Sequence, residues 1–365
     1  MINPEDSLIP REERARAGPL QGGAAAGPRP RRPAYAFAGL SGLLLAATVA
    51  SLGLGATRLS TAEVVAALVG RSGADPTTRT ILVELRLPRA LLAALIGVAL
   101  GAAGAAYQAL FRNPLADPFV VGASSGAAFG AAVVIVTGWA GPASAIGPAS
   151  FGAFLGALGA VGLVYLVATA GNVPPVNLLL AGAAVSTMLG GLVWLVMALA
   201  DQDLHRIVGW MMGGLAGRGW PVLAGAWPPI LAGTGLLWAL ARPLDAFCCG
   251  EEEARALGLR IGMVLALTLA GASLAVATAV AAGGVIGFVG LVAPHLARPL
   301  VGATHVHLLP ASALVGAVLL LAADALARSA APPLELPVGV ITSLLGGPFF
   351  LAILRRRSLA AAGGW

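Results

Sequence analysis

Arginine carries every full positive side-chain charge in this sequence, and its placement is the first clue to chemistry. All 22 basic residues are Arg, and Lys does not occur. A P-loop needs its Lys on the nucleotide phosphates and a Schiff base needs an amine, so both chemistries are excluded. Cys248 and Cys249 are neighbours that make no disulfide framework; they read as compact apolar filler. His205, His295, His305 and His307 have neither HExxH nor Cys/His zinc spacing. His305 and His307, beside Thr304, are the only cluster, and they do not make up the convergent nucleophile, base or metal set of an enzyme. No catalytic residue, metal site or cofactor is therefore assigned, and the chain is read as not an enzyme. The formal charge of +6 is not gathered into a basic stripe, so nucleic acid is not an expected partner. What remains is charge in particular places: Arg86 and Arg89 in Arg86-Leu87-Pro88-Arg89, Arg328 four residues after Asp324, and Glu251-Glu252-Glu253 followed by Arg255.

The elements that must hold these side chains are membrane helices. Only 10% of the residues are charged and 58% are hydrophobic, against about 25% charged in a soluble domain. A spanning helix takes about 20 apolar residues, and hydropathy gives ten spans near 36–57, 90–111, 119–139, 149–170, 178–200, 221–241, 261–282, 283–300, 308–328 and 336–354. The pattern is too uniformly apolar for a membrane β-barrel. The expected fold is all-α and polytopic. Residues 1–33 hold six Pro and six Arg without helical periodicity and read as a disordered cytoplasmic leader. Residues 34–356 form the membrane domain, and 357–365 form a cytoplasmic tail.

Ten spans put both ends on one side. The Arg-rich leader and Arg355, Arg356 and Arg357 then face the cytoplasm, as the positive-inside rule expects. Arg86, Arg89 and Arg328 fall outside, against that rule. Charge alone leaves two readings of Arg86 and Arg89: interfacial anchoring by snorkelling, or docking of an acidic partner. Glycines four apart mark faces for close helix contact: Gly97 and Gly101, then Gly122, Gly126 and Gly130, then Gly152 and Gly156, then Gly283 and Gly287. Asp117 before Pro118 reads as the N-cap of the third span. Acids are almost absent inside the spans, which argues against the alternative of an ion-coupled secondary transporter working without an ATPase. His295 after Pro294 reads as a partner for backbone freed by the proline.

Three stretches stand apart from the spans. The first is Arg86 to Arg89, followed after the second span by Phe111-Arg112-Asn113-Pro114-Leu115-Ala116-Asp117-Pro118. The second is Arg242 to Gly258, where Gly250 breaks the chain, the three Glu favour a helix N-terminus and Gly258 ends it, giving two short helices. The third is Gly284 to Arg298. Together with Leu336-Pro337-Val338-Gly339, and in this order over about 36–355, these blocks resemble the permease subunits of ATP-binding-cassette importers for vitamin B12, ferric siderophores and haem.

The resemblance implies ten helices per subunit, a second copy of the chain around a central path, two ATPase subunits, a soluble or lipid-anchored substrate-binding protein, and a metal-chelate substrate. A ferric siderophore is expected first, then cobalamin, then haem. It implies a bacterial cytoplasmic membrane location. It makes 244–258 the coupling segment, with Leu244, Gly250, Glu251, Glu252, Glu253, Ala254, Arg255, Leu257 and Gly258 at the ATPase. It assigns Arg86, Arg89 and Arg328 to docking of the binding protein. It implies that the fifth and tenth helices line the path with a short helix after the fifth, here within Leu204–Leu215; by residue type Asp203 reads as its cap and Trp210 as an interfacial anchor. It puts the inner gate at Pro174-Pro175-Val176-Asn177, where other members carry Ser and Thr.

Overall fold

The computed structural model describes residues 33–55, 59–69, 76–142, 146–169, 176–200 and 202–362. The leader up to residue 32 and the last three residues lie outside the described residues, as do Pro174 and Pro175. Among the described residues all regular structure is helical, apart from one isolated bridge between Ala331 and Leu334.

The helices are α1 Pro33–Gly53, α2 Thr61–Val69, α3 Pro76–Leu110, α4 Ala123–Thr137, α5 Pro148–Thr169, α6 Val176–Leu199, α7 Leu204–Met211, α8 Trp220–Ala239, α9 Ala241–Cys249, α10 Glu251–Ala256, α11 Ile261–Gly283, α12 Val289–Val301, α13 His305–Ser329 and α14 Val338–Ala362. Seven of them (α1, α3, α5, α6, α8, α11 and α13) are long and apolar enough to cross a membrane. Three shorter apolar helices, α4, α12 and the first part of α14, bring the set to the ten expected.

Boundaries differ from hydropathy where polar residues continue a helix or glycine ends one. The second span starts near 90 by hydropathy, yet α3 begins at Pro76 and passes through a π-helical turn, Ile81–Arg86, before Leu87–Leu110. That turn carries Glu84 and Arg86, which lower the hydropathy without breaking the helix. The eighth span, expected over 283–300, is a half-length helix. Gly283 ends α11, Gly284 has φ 74°, Phe288 has φ 66°, and α12 covers only 13 residues. The third is also short. Asp117 does not cap it: its Oδ1 accepts the Phe119 N–H at 2.9 Å in a local turn, and Gly122, at φ 89°, is the residue before α4.

α3 and α11 are the central helices, with most of their apolar windows buried, whereas α1 and α6 keep most of theirs on the outside. The glycine spacing largely predicts how these helices meet. A Cβ on Gly97 would run into the carbonyl of Gly316, and one on Gly101 into that of Ser312, so α3 and α13 touch backbone to backbone. Gly126 and Gly130 of α4 face Gly156 and Gly152 of α5 in the same way. Small residues permit this approach in lipid, where helix association depends on van der Waals packing. Two placements differ: Gly122 is the left-handed residue before α4, and Gly287 lies in the break before α12, so neither joins a helix face.

Candidate functional site

The residues singled out by sequence gather at the two ends of α13. At its C-terminal end stands Asp324, with 0% of its side chain exposed. Its Oδ1 accepts from Arg89 Nε at 3.0 Å and Nη2 at 2.9 Å, and its Oδ2 accepts from Arg328 Nε at 3.0 Å. A carboxylate with this little solvent holds its charge only if it is paired and hydrogen-bonded, and two guanidiniums meet that need. Arg89 spends its remaining Nη1 on Glu335 Oε2 at 2.8 Å.

Arg328 and Arg86 turn to α1. Arg328 donates to Leu54 O at 2.9 Å, Ser51 O at 3.0 Å and Ser51 Oγ at 2.8 Å. Arg86 donates to Leu52 O at 2.7 Å. The last carbonyls of a helix have no partner within it and carry the negative end of its dipole. Two arginines from α3 and α13 thus close the end of α1. Sequence reasoning placed Arg86, Arg89 and Arg328 near one another at a membrane boundary, and the structure brings them together. It missed that all three are buried and already paired within the chain. Glu335 and Ser51 were not singled out, since no spacing rule links residues so far apart.

A cavity of about 300 Å³ opens beside this cluster. Arg86, Arg89, Arg218 and Arg328 line it together with Glu84 and Glu335. Arg218 lies between α7 and α8, where burial pulls its guanidinium below its usual range, and it reaches Ser150 Oγ at 3.5 Å.

At the other end of α13 are the two expected short helices. α9 and α10 are separated by Gly250 at φ 143°, a backbone conformation that favours glycine. Gly258, at φ 80°, follows α10. The nine residues assigned to coupling divide by burial. Leu244 and Ala254 point inward with Phe247 and are fully buried. Glu252, Glu253, Arg255, Leu257 and Gly258 are exposed. Leu257 is 72% exposed, a large apolar side chain beside charged ones. Glu251 binds Arg255 at 3.2 Å and Arg112 at 3.4 Å, and Arg112 stacks 5.2 Å over the Phe247 ring. Cys248 and Cys249, read as apolar filler in a docking helix, are exposed at the end of α9.

A contact that sequence reasoning did not foresee joins α9 to α13. Asp245 Oδ1 accepts the backbone N–H of His305 at 2.9 Å and meets its ring Nδ1 at 2.5 Å. His305 is buried, and its Nε2 has no partner among the described residues. The cluster of His305 and His307 is therefore split: His305 clamps α9, while the His307 ring faces Phe37.

The expected gate is described only in part. Pro174 and Pro175 fall outside the described residues, Val176 opens α6, and Asn177 is exposed. The short helix after α6 is present as α7. Asp203 does not cap it through its side chain, which instead binds Arg206 at 2.7 Å. Trp210 buries its indole N–H with no partner among the described residues, which does not suit an anchor at a wet interface. His295 packs edge-on against Phe349. Along α6, Leu180, Met188, Trp194, Leu195 and Leu199 are exposed, and Leu344, Leu345 and Leu351 are exposed on α14.

The model of the FecCD transport family matches residues 43–356. A cobalamin import system permease protein of Halobacterium salinarum is 42% identical over 290 residues, which is 79% of this chain and 77% of that protein. A hemin transport system permease protein of Yersinia pestis is 43% identical over 280 residues, 76% of this chain and 84% of that protein. A solved metal-chelate type ABC transporter in an inward-facing conformation superposes with a TM-score of 0.79 at 34% identity, covering 89% of this chain and 99% of that one.

Proposed function

From the premise that the chain belongs to the FecCD transport family, we propose that it is the membrane-spanning subunit of an ATP-driven importer of a metal chelate. It works as two copies with two ATPase subunits, and a soluble or lipid-anchored binding protein delivers the cargo. The observation that carries this reading is the α9–α10 pair. Its inner side is anchored by Leu244, Phe247 and Ala254, and its outer side offers Glu252, Glu253, Arg255 and Leu257. That is the anatomy of a docking surface, with an apolar knob among charges. The chain has no Lys to serve a nucleotide, so the ATPase that docks there supplies the energy. Closure of the ATPase moves α9 and α10, and the membrane helices alternate access of a largely apolar path to the two sides. The exposed faces of α6 and α14 suit the walls of that path, and the segment from Pro174 to Asn177 is placed at its inner gate.

The arginine end of α13 faces the outside in this topology, and both chain ends face the cytoplasm. There the cavity beside Arg86, Arg89 and Arg328 receives acidic side chains of the binding protein. Because the three arginines also hold α1 and Asp324, docking and folding share them. The membrane is the bacterial cytoplasmic membrane. Ferric siderophore is the first cargo to test, with cobalamin and haem beside it. The relatives from Halobacterium and Yersinia carry the names of two different chelates at nearly equal identity, so likeness does not choose between them.

The test is reconstitution of the permease, its ATPase and its binding protein in liposomes, with ferric siderophore, cobalamin and haem offered in parallel. ATP-dependent uptake of one chelate is the expected result. Uptake that ignores ATP but follows a proton or sodium gradient would overturn the proposal.

A further inference from the structure

The three arginines at the end of α13 are not equally committed. Arg328 gives every nitrogen to Asp324 or to the end of α1, and Arg86 Nη1 also holds α1 carbonyls. Arg89 is different. Nε and Nη2 hold the fully buried Asp324, but Nη1 is held by Glu335, whose side chain is 45% exposed. Glu335 is not on a helix. It sits in the linker between α13 and α14, three residues before α14 begins, where the next residue, Leu336, donates its N–H to Ala327 O at 3.0 Å. The Arg89–Glu335 pair opens onto the cavity of about 300 Å³, in which Arg218 adds a fourth guanidinium. Among the described residues no carboxylate is paired with Arg218. Among the described residues, four arginines stand against Asp324, Glu335 and Glu84 around that space, one positive charge more than the acids.

We propose that Glu335 is an internal occupant of a carboxylate site on Arg89, and that an acidic side chain of the binding protein displaces it. The site is Arg89 Nη1 with Arg218 alongside, and its ligand is a single carboxylate on a flexible stem. The inference rests on the proposed docking of an acidic partner at this end of the molecule. It adds which chain group that partner must evict. The exchange is easy on physical grounds. One carboxylate replaces another, so Arg89 is never left buried and unpaired, which is the costly state. The evicted Glu335 is already half in water, and exposed ion pairs are weak. Release of Glu335 also removes one tie on the linker that leads directly into α14, where the Leu336 N–H to Ala327 O bond remains, so occupancy of the outer site is reported to a helix of the proposed path.

The test measures association of the fluorescently labelled binding protein with the whole permease–ATPase complex in nanodiscs, over a range of salt. Glu335→Gln keeps a polar side chain but no longer competes as an anion. It should tighten association about fivefold at low salt, given the strength of half-exposed pairs. Glu335→Ala should do the same, which guards against a defect peculiar to one variant. Removing any negative charge also raises the long-range attraction of an acidic partner. Glu84→Gln controls for that, since Glu84 lines the same cavity and has no ion pair among the described residues. Tightening by both Glu335 variants well beyond that of Glu84→Gln supports the proposal. Glu335 variants that equal Glu84→Gln, or that bind more weakly than the wild type, overturn it while salt-sensitive wild-type binding keeps the docking reading. Wild-type association that ignores salt would overturn the docking reading itself, and the displacement with it.

Discussion

The contact between α4 and α5 provides a direct test of why glycines are spaced as they are. A Cβ on Gly156 would run into the carbonyl oxygen of Gly126, with the carbonyl carbon of Gly126 at 3.0 Å and Gly130 Cα at 3.1 Å behind it. Carbon atoms attract best at about 3.5–4.0 Å and the carbonyl oxygen lies closer still, so the helices must part by about an ångström or more. All the atoms in the way are backbone, and no rotamer change relieves them. Overpacking of this kind costs about 1–3 kcal/mol. Gly159 lies three residues further along the same helix, and a Cβ there meets nothing within 4 Å. Both Gly156→Ala and Gly159→Ala gain helix propensity, about 1 kcal/mol. That gain cancels in the comparison, so the difference between the variants isolates the close approach. Gly159→Ala should be neutral or more stable than wild type, and Gly156→Ala less stable than Gly159→Ala by about 1–3 kcal/mol. Equilibrium unfolding in mixed micelles of rising SDS fraction, followed by the fluorescence of the seven tryptophans, measures both. If the two variants unfold within about 0.5 kcal/mol of each other, the glycines are not there for helix contact.

Other consequences follow from the charged residues. Asp324→Ala leaves Arg89 and Arg328 without their shared buried partner and should cost about 3–5 kcal/mol, read as a large drop in the midpoint of the same unfolding curve; a midpoint within error of wild type would contradict the pairing. Asp117 lies in the linker between α3 and α4, where burial raises its pKa to about 6 against the lowering effect of the Phe119 N–H. A carboxyl raised in this way stabilises the fold fully below its unfolded pKa, and the contribution fades as pH rises through 6. Asp117→Asn keeps the acceptor without the charge, so it should gain on wild type between pH 4 and pH 7, by at most about 3 kcal/mol; parallel stability profiles would refute this. Asp245→Asn weakens the clamp between α9 and His305. It should leave ATP hydrolysis by the assembled importer largely intact while uptake falls several-fold, and an equal fall in both would show that the residue only supports assembly.

The sequence made some parts of this molecule plain and hid others, for physical reasons. Apolar length reveals spans well, so α1, α5, α6, α8, α11 and α13 stand close to where hydropathy puts them. It fails where a helix keeps going through charge, as α3 does through Glu84 and Arg86, and where glycine cuts an apolar run in two, as at Gly284. Local signals also worked for Gly250 and Gly258, whose backbone angles only glycine accepts readily. Long-range pairing was out of reach. Nothing in the neighbourhood of Arg89 announces Asp324 or Glu335, and nothing near Asp245 announces His305. A cap such as Asp117 or Asp203 could be misread because a short polar side chain has several local partners and the fold selects among them.

The pairing of Arg89 with Asp324 spans 235 residues of chain, and that separation matters while the protein is being made. At about 5–20 residues per second, a ribosome reaches Asp324 roughly 10–50 seconds after Arg89 has emerged. Through that interval Arg89 of α3 has no Asp324 to pair with. The same delay applies to the seam between Gly97 and Gly316, since both belong to the α3–α13 contact. The centre of the molecule is therefore closed late, after the peripheral helices of the first half have been inserted. A chain cut short before α13 would hold an arginine without its acid and a strip of bare glycine backbone.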